Sequence, residues 1–235
     1  MTSIDIIYQR SALQSELPAG ATAKVHLLVV QVNDIKTAAN EIITALNDVS
    51  WITKLNPVAK LSYESTALRT ITKLTTDFGT VDSSVTSSFG EYLVSIAAGN
   101  SLGAVLNHTV FPVSELWKEK VTQNHGFDFH TESQQKVISF GEAKYVKGTN
   151  PYTASATQIL EFIKAKKDGG DAVHLKNFAS ENAIQNLLNS SRGFTVAFSM
   201  HSDKPESILK NALASDLIQK LIKCSHELQI VGVKS

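Results

Sequence analysis

The sequence has little cysteine and no long apolar run. Cys224 is the single cysteine among 235 residues, which excludes a disulfide within the chain and a cluster of thiolate metal ligands. The longest apolar run covers residues 25–32, where His26 and Gln31 interrupt it, and it is too short for a membrane-spanning helix. No basic segment followed by an apolar one opens the chain. We therefore expect a cytoplasmic protein that makes no contact with a membrane.

An excess of positive charge is also lacking. The 22 Lys and Arg residues balance 22 Asp and Glu residues, and the sequence pI is about 7.1. A protein that binds DNA unaided usually carries a basic footprint. Either the basic residues cluster on one face, or a partner protein supplies the affinity for nucleic acid. The motifs GxGxxG and GxxxxGK[ST] do not occur, which excludes nucleotide hydrolysis by a P-loop in this chain.

The hydrophobic pattern alternates between the periods of strands and helices, which predicts an α/β fold. In the first 80 residues it predicts strands over 4–8 and 24–32 and helices over 34–48 and 62–74. The polar stretch 75–88 is a predicted boundary. Beyond it, the pattern predicts helices over 87–98, 152–167 and 205–223, strands near 105–113, 115–122, 192–200 and 227–233, and a hairpin over 125–146. We expect an N-terminal α/β part over 1–80 and a core over 81–235.

The predicted hairpin carries the residues with the clearest chemical potential. Asp128 lies in its first arm, and Glu142 and Lys144 lie in the second. Side chains alternate along a strand, so Glu142 and Lys144 project from the same side, about 7 Å apart. The hairpin can fold Asp128 back beside Glu142. Two adjacent carboxylates repel unless a divalent cation is held between them, and a neighbouring ammonium group then steadies an anion or orients a water.

Other residues near this stretch have both a structural and a functional interpretation. Glu91, in the first turn of the helix over 87–98, either favours the helix dipole or completes a metal or water site. Gln158 is either a solvated side chain or a residue that holds the site. His130 is either a surface or hairpin histidine with a structural role, or a residue next to a metal. A second acidic-x-Lys triplet, at Asp34, opens a helical pattern and is best interpreted as helix capping.

An Asp followed by Glu-x-Lys on the next strand resembles the core of the PD-(D/E)xK nuclease superfamily. Within 87–162, the segments Phe-Gly-Glu-Tyr-Leu, Gly-Phe-Asp and Phe-Gly-Glu-Ala-Lys are most similar to the HamA nuclease subunits of Hachiman anti-phage defence systems. The resemblance implies a restriction-endonuclease-like core of helix, mixed central sheet and helix, with an N-terminal α/β elaboration. It further implies a DNase that requires Mg²⁺ or Mn²⁺ and is restrained by a helicase partner similar to HamB.

Carried over by position, the resemblance implies catalytic roles for Glu91, Asp128, Glu142 and Lys144. A catalytic role for Gln158 is an optional addition. The implied metal ligands are Asp128, Glu142 and the carbonyl oxygen of Ala143. The chain departs from the superfamily pattern at Phe127, where the motif has proline.

Two other interpretations remain open. One is a nuclease-like module that binds nucleic acid or a partner protein without cleaving, and the other is an α/β domain whose hairpin carboxylates are structural. For the nuclease, we expect Lys144→Ala to abolish cleavage with little loss of stability, because an exposed lysine contributes little.

Overall fold

The computed structural model describes residues 3–79, 87–117 and 126–235. These ranges contain seven strands in one sheet. The strands are β1 (Ile4–Ser11), β2 (Lys24–Val32), β3 (Thr109–Val110), β4 (Phe129–Glu132), β5 (Ile138–Lys144), β6 (Arg192–Ser199) and β7 (Glu227–Lys234). The helices of the same ranges are α1 (Ile35–Asn47), α2 (Ser50–Thr53), α3 (Pro57–Gly79), α4 (Ser87–Leu106), α5 (Tyr152–Lys164), α6 (Lys167–Leu175), α7 (Glu181–Leu188), α8 (Pro205–Ala214) and α9 (Asp216–Lys223).

The described strands lie in the order β1-β2-β7-β6-β5-β4-β3. The four central strands, β2, β7, β6 and β5, are mutually parallel, and the strands outside them pair antiparallel. Parallel strands are normally covered on both faces, so their sequences are almost continuously apolar. The runs 27–30 of β2 and 193–199 of β6 are buried at every position, as this rule requires. The α/β class predicted from the sequence is confirmed.

The two strands of the N-terminal part belong to the same sheet as the strands of the core. β2 pairs with β7, the last strand of the chain, over eight residue pairs, and β1 adds to the outer edge of β2. The N-terminal part therefore extends the sheet of the core. The division of the chain at residue 80 stays a prediction.

Helices α4 and α5 cover opposite faces of the sheet beside the hairpin β4–β5. Gly99 of α4 faces the ring of Phe129, whose pairing partner across the hairpin is Gly141. On the other face, Phe162 of α5 meets Phe127 with ring centroids 5.1 Å apart, and Phe127 contacts Phe140 of β5 at 5.0 Å. The order α4, β3, β4, β5, α5, α6, α7, β6 contains the predicted succession of helix, strands, helix and strand, with α6 and α7 inserted before the last strand.

The predicted strand near 105–113 is confirmed only at the two residues of β3, and the predicted strand near 115–122 is wrong over the described residues. Helix α4 continues to Leu106, β3 has two residues, and residues 114–116 form one turn of 3-10 helix. Small and apolar residues occur on every side of α4, so its sequence has no amphipathic period whose loss would mark an end. It ends at Asn107, which adopts a positive φ of 53° that asparagine tolerates better than most residues. Residues 118–125 lie outside the described ranges.

The predicted helices over 152–167 and 205–223 are each divided. Lys166 adopts a left-handed conformation with φ of 55°, which separates α5 from α6. Ser215 is extended and separates α8 from α9, with its hydroxyl donating to the carbonyl of Ala212 at 2.7 Å. Within the described ranges, no helix combines the length and apolar character needed to cross a membrane.

We expect Gly141→Ala to destabilise the protein by about 1–3 kcal/mol, because a Cβ at this position would overlap the ring of Phe129. The measurement is the free energy of unfolding in urea. Gly169→Ala is the matched control, since Gly169 lies in α6 with no atom within 4 Å of an added Cβ. The control should change stability by no more than about 1 kcal/mol, in the stabilising direction. Equal stabilities of the two variants would contradict the packing of Phe129 on Gly141.

Candidate active site

The main chain of the hairpin places the carboxylate of Asp128 against strand β5. Asp128 precedes β4, and its N–H donates to the carbonyl of Gly141 at 2.9 Å. Its side-chain Oδ2 accepts a hydrogen bond of 2.8 Å from the N–H of Ala143. The Asp128 side chain is thereby held against β5, the strand from which Glu142 projects. The predicted hairpin is confirmed over the described residues, while Asn124 and His125 lie outside them.

Lys144 connects the carboxylates of β5 and α4. Its Nζ donates to Glu142 Oε1 at 2.8 Å and lies 3.9 Å from Glu91 Oε1, in the first turns of α4. The structure therefore brings together four of the side chains that the sequence singles out. They are Glu91, Asp128, Glu142 and Lys144.

Glu142 is a buried carboxylate with an incompletely compensated charge. It is 1% exposed, and its Oε2 has no hydrogen-bond partner among the described residues. Burial and then the charge of Asp128 raise the pKa of Glu142 well above its usual range, against the lowering effect of Lys144. Burial disfavours the charge of Lys144, but the charge and hydrogen bond of Glu142 outweigh it and raise the pKa of the ammonium group. The two side chains depend on each other for their ionisation.

Lys144 is less accessible than the sequence interpretation assumed. Its side chain is 21% exposed, and its ammonium group is paired with the buried Glu142. The expectation that Lys144→Ala costs little stability is therefore wrong in its premise. Removing the ammonium would leave a buried carboxylate without its closest positive charge, which is destabilising.

Glu115 is a further carboxylate at this site, and the sequence interpretation missed it. Together with Glu91, Tyr92, Ser95 and Asp128 it lines a small cleft beside Lys144 and Glu142. Glu115 is 8% exposed and lies in the 3-10 turn of residues 114–116, which follows β3. No local pattern marks it, because its position depends on how this turn docks against Asp128.

His130 holds that turn in place. Its Nδ1 and the Ser114 hydroxyl are 3.1 Å apart, and its Nε2 lies 3.0 Å from Asp171 Oδ2 of α6. His130 lies in the hairpin, as one interpretation has it, but its imidazole is fully buried against the indole of Trp117, so exposure at the surface is wrong. Serine, histidine and aspartate meet here, but Ser114 is itself buried and its hydroxyl does not face a substrate. The arrangement positions the residue next to it, Glu115.

Helix α5 reaches the site through Ser155 rather than through Gln158. The Ser155 hydroxyl donates to the carbonyl of Glu142 at 2.8 Å and is completely buried. Gln158 lies three residues further on, half-buried, and its side chain has no hydrogen-bond partner among the described residues. The structure does not bring Gln158 into contact with the carboxylates. Its proposed catalytic role stays a prediction.

The donor atoms fit a hard divalent cation, although the site is not a cluster of several acidic ligands. Within residues 3–79, 87–117 and 126–235, no group of three or more His, Cys, Asp and Glu side chains is arranged to hold a metal ion. The predicted set differs in kind, since it has two carboxylates, Asp128 and Glu142, and the carbonyl of Ala143. Mg²⁺ and Mn²⁺ prefer such oxygen ligands. The buried Oε2 of Glu142, which receives no hydrogen bond from the described residues, is an atom that a cation would satisfy.

Comparisons with protein-family models, with curated proteins and with solved structures found no match to this chain. Its function is therefore inferred from the residues of the site and the sequence motif that places them.

We expect Glu142→Gln to change how stability depends on pH. The folded carboxyl keeps its proton to a higher pH than the unfolded chain, whose value is near 4.5, so wild-type stability falls as pH rises through this window. Glutamine does not titrate, so the stability of the variant relative to wild type should increase with pH. The increase is about 1.4 kcal/mol for each unit of pKa difference.

Urea unfolding between pH 4 and pH 8, with a chelator present, measures this effect. Glu161→Gln is the control, because Glu161 is an exposed carboxylate on α5 outside the site. Parallel profiles for wild type and Glu142→Gln would show that Glu142 ionises normally in the folded protein.

Proposed function

We propose that this chain is a deoxyribonuclease that uses Mg²⁺ or Mn²⁺ to hydrolyse phosphodiester bonds. The observation that carries the proposal is that Asp128 and Glu91 line one cleft, and that Lys144 and Glu142 of β5 lie beside it. The succession of helix, three strands, helix and strand around this hairpin supports it. Two opposed carboxylates with a neighbouring ammonium group suit the transfer of a phosphoryl group to water.

Asp128, Glu142 and the carbonyl of Ala143 would hold the cation. A divalent cation bound there would lower the pKa of a bound water and place positive charge next to the scissile phosphate. The hydrogen bond from Ala143 N fixes one oxygen of Asp128, so the carboxylate is oriented before substrate arrives. Ser155, through the carbonyl of Glu142, fixes the strand that carries the second carboxylate.

Lys144 is the residue that would act on the reacting groups. Its ammonium is held by Glu142, remains partly exposed and faces Glu91. From there it would orient the attacking water or stabilise the negative charge that develops on the phosphate. Glu91, which is more exposed, would complete the water site and keep Lys144 directed towards the cleft.

The biological setting that we propose is anti-phage defence under the control of a helicase partner. The motif's resemblance to the Hachiman nuclease subunits supports it, as does a neutral chain without a P-loop motif. A nuclease without net positive charge needs another source of affinity for DNA, and a helicase that already holds the strand would supply it. The competing interpretation, a nuclease-like module that binds without cleaving, has the same motif and differs in activity.

Cleavage of plasmid and single-stranded DNA tests the proposal. We expect cutting with Mg²⁺ or Mn²⁺, with and without a co-purified helicase, and its loss in the double variant Glu142→Ala/Lys144→Ala. The double variant removes both members of the buried pair, so it leaves no isolated charge. Lys147→Ala, an exposed lysine three residues away, is the control and should cut normally. Absence of cutting by the folded wild type under every condition would favour the binding module.

We also expect Glu115→Gln to lower kcat/KM by about tenfold or more, which corresponds to about 1.4 kcal/mol of transition-state stabilisation. Glu115 lines the cleft with Asp128 and Glu91, so its charge acts on any cation or water held there. Initial rates on a fluorescent oligonucleotide, at several concentrations of Mg²⁺, measure the effect. Glu161→Gln serves again as the control. Equal rates for the two variants would show that Glu115 does not contribute to catalysis.

A further inference from the structure

A second cavity borders the acidic cleft. It has a volume of about 360 Å³, within the usual range of about 300–1,000 Å³ for small-molecule sites. Its walls come from α1, α2, α4 and the segment between β3 and the hairpin, and most of them are apolar. Trp51, Phe111 and Phe129 are the aromatic residues of the lining.

Two buried polar atoms of this lining have no hydrogen-bond partner among the described residues. They are the indole Nε1 of Trp51 and the hydroxyl of Ser95. Ser95 is 3% exposed, so its hydroxyl has left water without gaining a protein partner there. Such atoms lower the stability of a fold unless a ligand or water satisfies them. Neither atom has accessible surface in the structure, so a ligand in the cavity would reach it only after a rotation of the side chain.

The cavity and the acidic cleft share their walls. Ser95 lines both, and it follows Glu91 by four residues, about 6 Å along α4. Phe129 of the cavity is the next residue after Asp128 of the cleft, and Leu116 of the cavity is the next residue after Glu115. A molecule with a charged group in the cleft therefore has a neighbouring apolar space for its next group.

We propose that this cavity binds a nucleobase of the substrate strand, next to the phosphate that the cleft acts on. The inference rests on the proposed nuclease function and specifies its substrate as single-stranded or terminal DNA, because a base within a duplex is stacked and not free to enter. A base offers flat faces to the aromatic lining, and its edge atoms would pair with Trp51 or Ser95 after a rotation of the side chain. Because the proposed nuclease acts on a phosphodiester, the group next to the cleft is a nucleoside rather than an acyl chain.

The indole of Trp51 is held in position by neighbouring rings. Its centroid lies 5.5 Å from that of Phe178 and 6.2 Å from that of Tyr63, which is itself hydrogen-bonded to His174 at 2.8 Å. A preset aromatic wall loses little freedom when a base binds. Stacking on an aromatic residue is also tolerant of base identity, so the site would accept different sequences.

Binding of deoxynucleosides without metal, in the presence of a chelator, tests the cavity separately from cleavage. Deoxyadenosine and thymidine are compared with deoxyribose by titration calorimetry. We expect at least about fivefold tighter binding of the nucleosides, the lower end of what one stacked base contributes. The double variant Glu142→Ala/Lys144→Ala should retain this binding, because the cavity does not use those side chains.

Ala45→Phe is the variant that fills the cavity. Ala45 is an exposed residue of α1 on the cavity lining, so a phenyl ring there occupies the opening without disturbing the core. We expect it to weaken nucleoside binding by about tenfold. Thr44→Phe, the adjacent exposed position outside the lining, is the matched control. Trp51→Phe removes the indole N–H and keeps an aromatic ring. It tests the cavity lining independently of the filling variant Ala45→Phe.

The outcomes separate the two proposals. Nucleoside binding that Ala45→Phe removes, in a protein that does not cleave DNA, supports the cavity and contradicts the nuclease. Metal-dependent cleavage with nucleosides binding no tighter than deoxyribose, or equally to the Ala45→Phe and Thr44→Phe variants, overturns the base site. Tighter binding of decanoate than of either nucleoside also overturns it, since that result assigns the cavity to an acyl chain.

Discussion

The hydrogen bond between Lys144 and the buried carboxylate of Glu142 is the interaction on which the site depends. Burial of a carboxylate is unfavourable, and the nearby charge of Asp128 makes the ionised form more so. The lysine offsets part of this effect, and its own ammonium group is kept charged by the glutamate in return. An arrangement of this kind adds little to stability compared with an apolar pair of the same size. A buried ion pair in a packed sheet is therefore better explained by a chemical role of the site than by a contribution to the stability of the fold.

The register of the hairpin determines which side chains meet. Phe129 pairs with Gly141, and this pairing places the main-chain N–H of Ala143 in reach of Asp128. A slip of one residue would send the side chains of β5 to the opposite faces and separate Glu142 and Lys144 from Asp128 and Glu91. Gly141 helps to fix the register, because the ring of Phe129 occupies the space of its missing Cβ. Packing on the apolar face of the hairpin thus sets the geometry of its polar side chains.

Much of the fold follows from local sequence, because the central strands are buried on both faces. The apolar runs of β2, β6 and β7 are short, bounded by turns, and too continuous for amphipathic helices, so their positions are predictable. The end of helix α4 is harder to predict, since small and apolar residues occur on every side of the helix. The helix ends before Asn107, one residue in a left-handed conformation. The break at Ser215 is equally local and has no proline or glycine to announce it.

The candidate site was predictable where two residues share a strand and less so where they come from separate elements. Glu142 and Lys144 lie on the same strand, and the hairpin brings Asp128 to them. Glu115 joins them through the docking of a 3-10 turn, which involves a buried histidine and no sequence period. On α5, the choice between Ser155 and Gln158 depends on the rotation of the helix about its axis, which the sequence leaves open.

The neutral charge of the chain and the acidity of its cleft raise the same physical question. Carboxylates repel the phosphates of a nucleic acid, so a site built from Glu91, Glu115, Asp128 and Glu142 needs positive charge or an uncharged source of affinity. A divalent cation answers the first need at the reacting phosphate. A cavity that takes a neutral base answers the second, since stacking does not require the release of counterions and depends less on salt than phosphate contacts do. With both, a chain without net positive charge would bind the single strand that the proposed nuclease cleaves, and a helicase that unwinds duplex DNA would supply that strand.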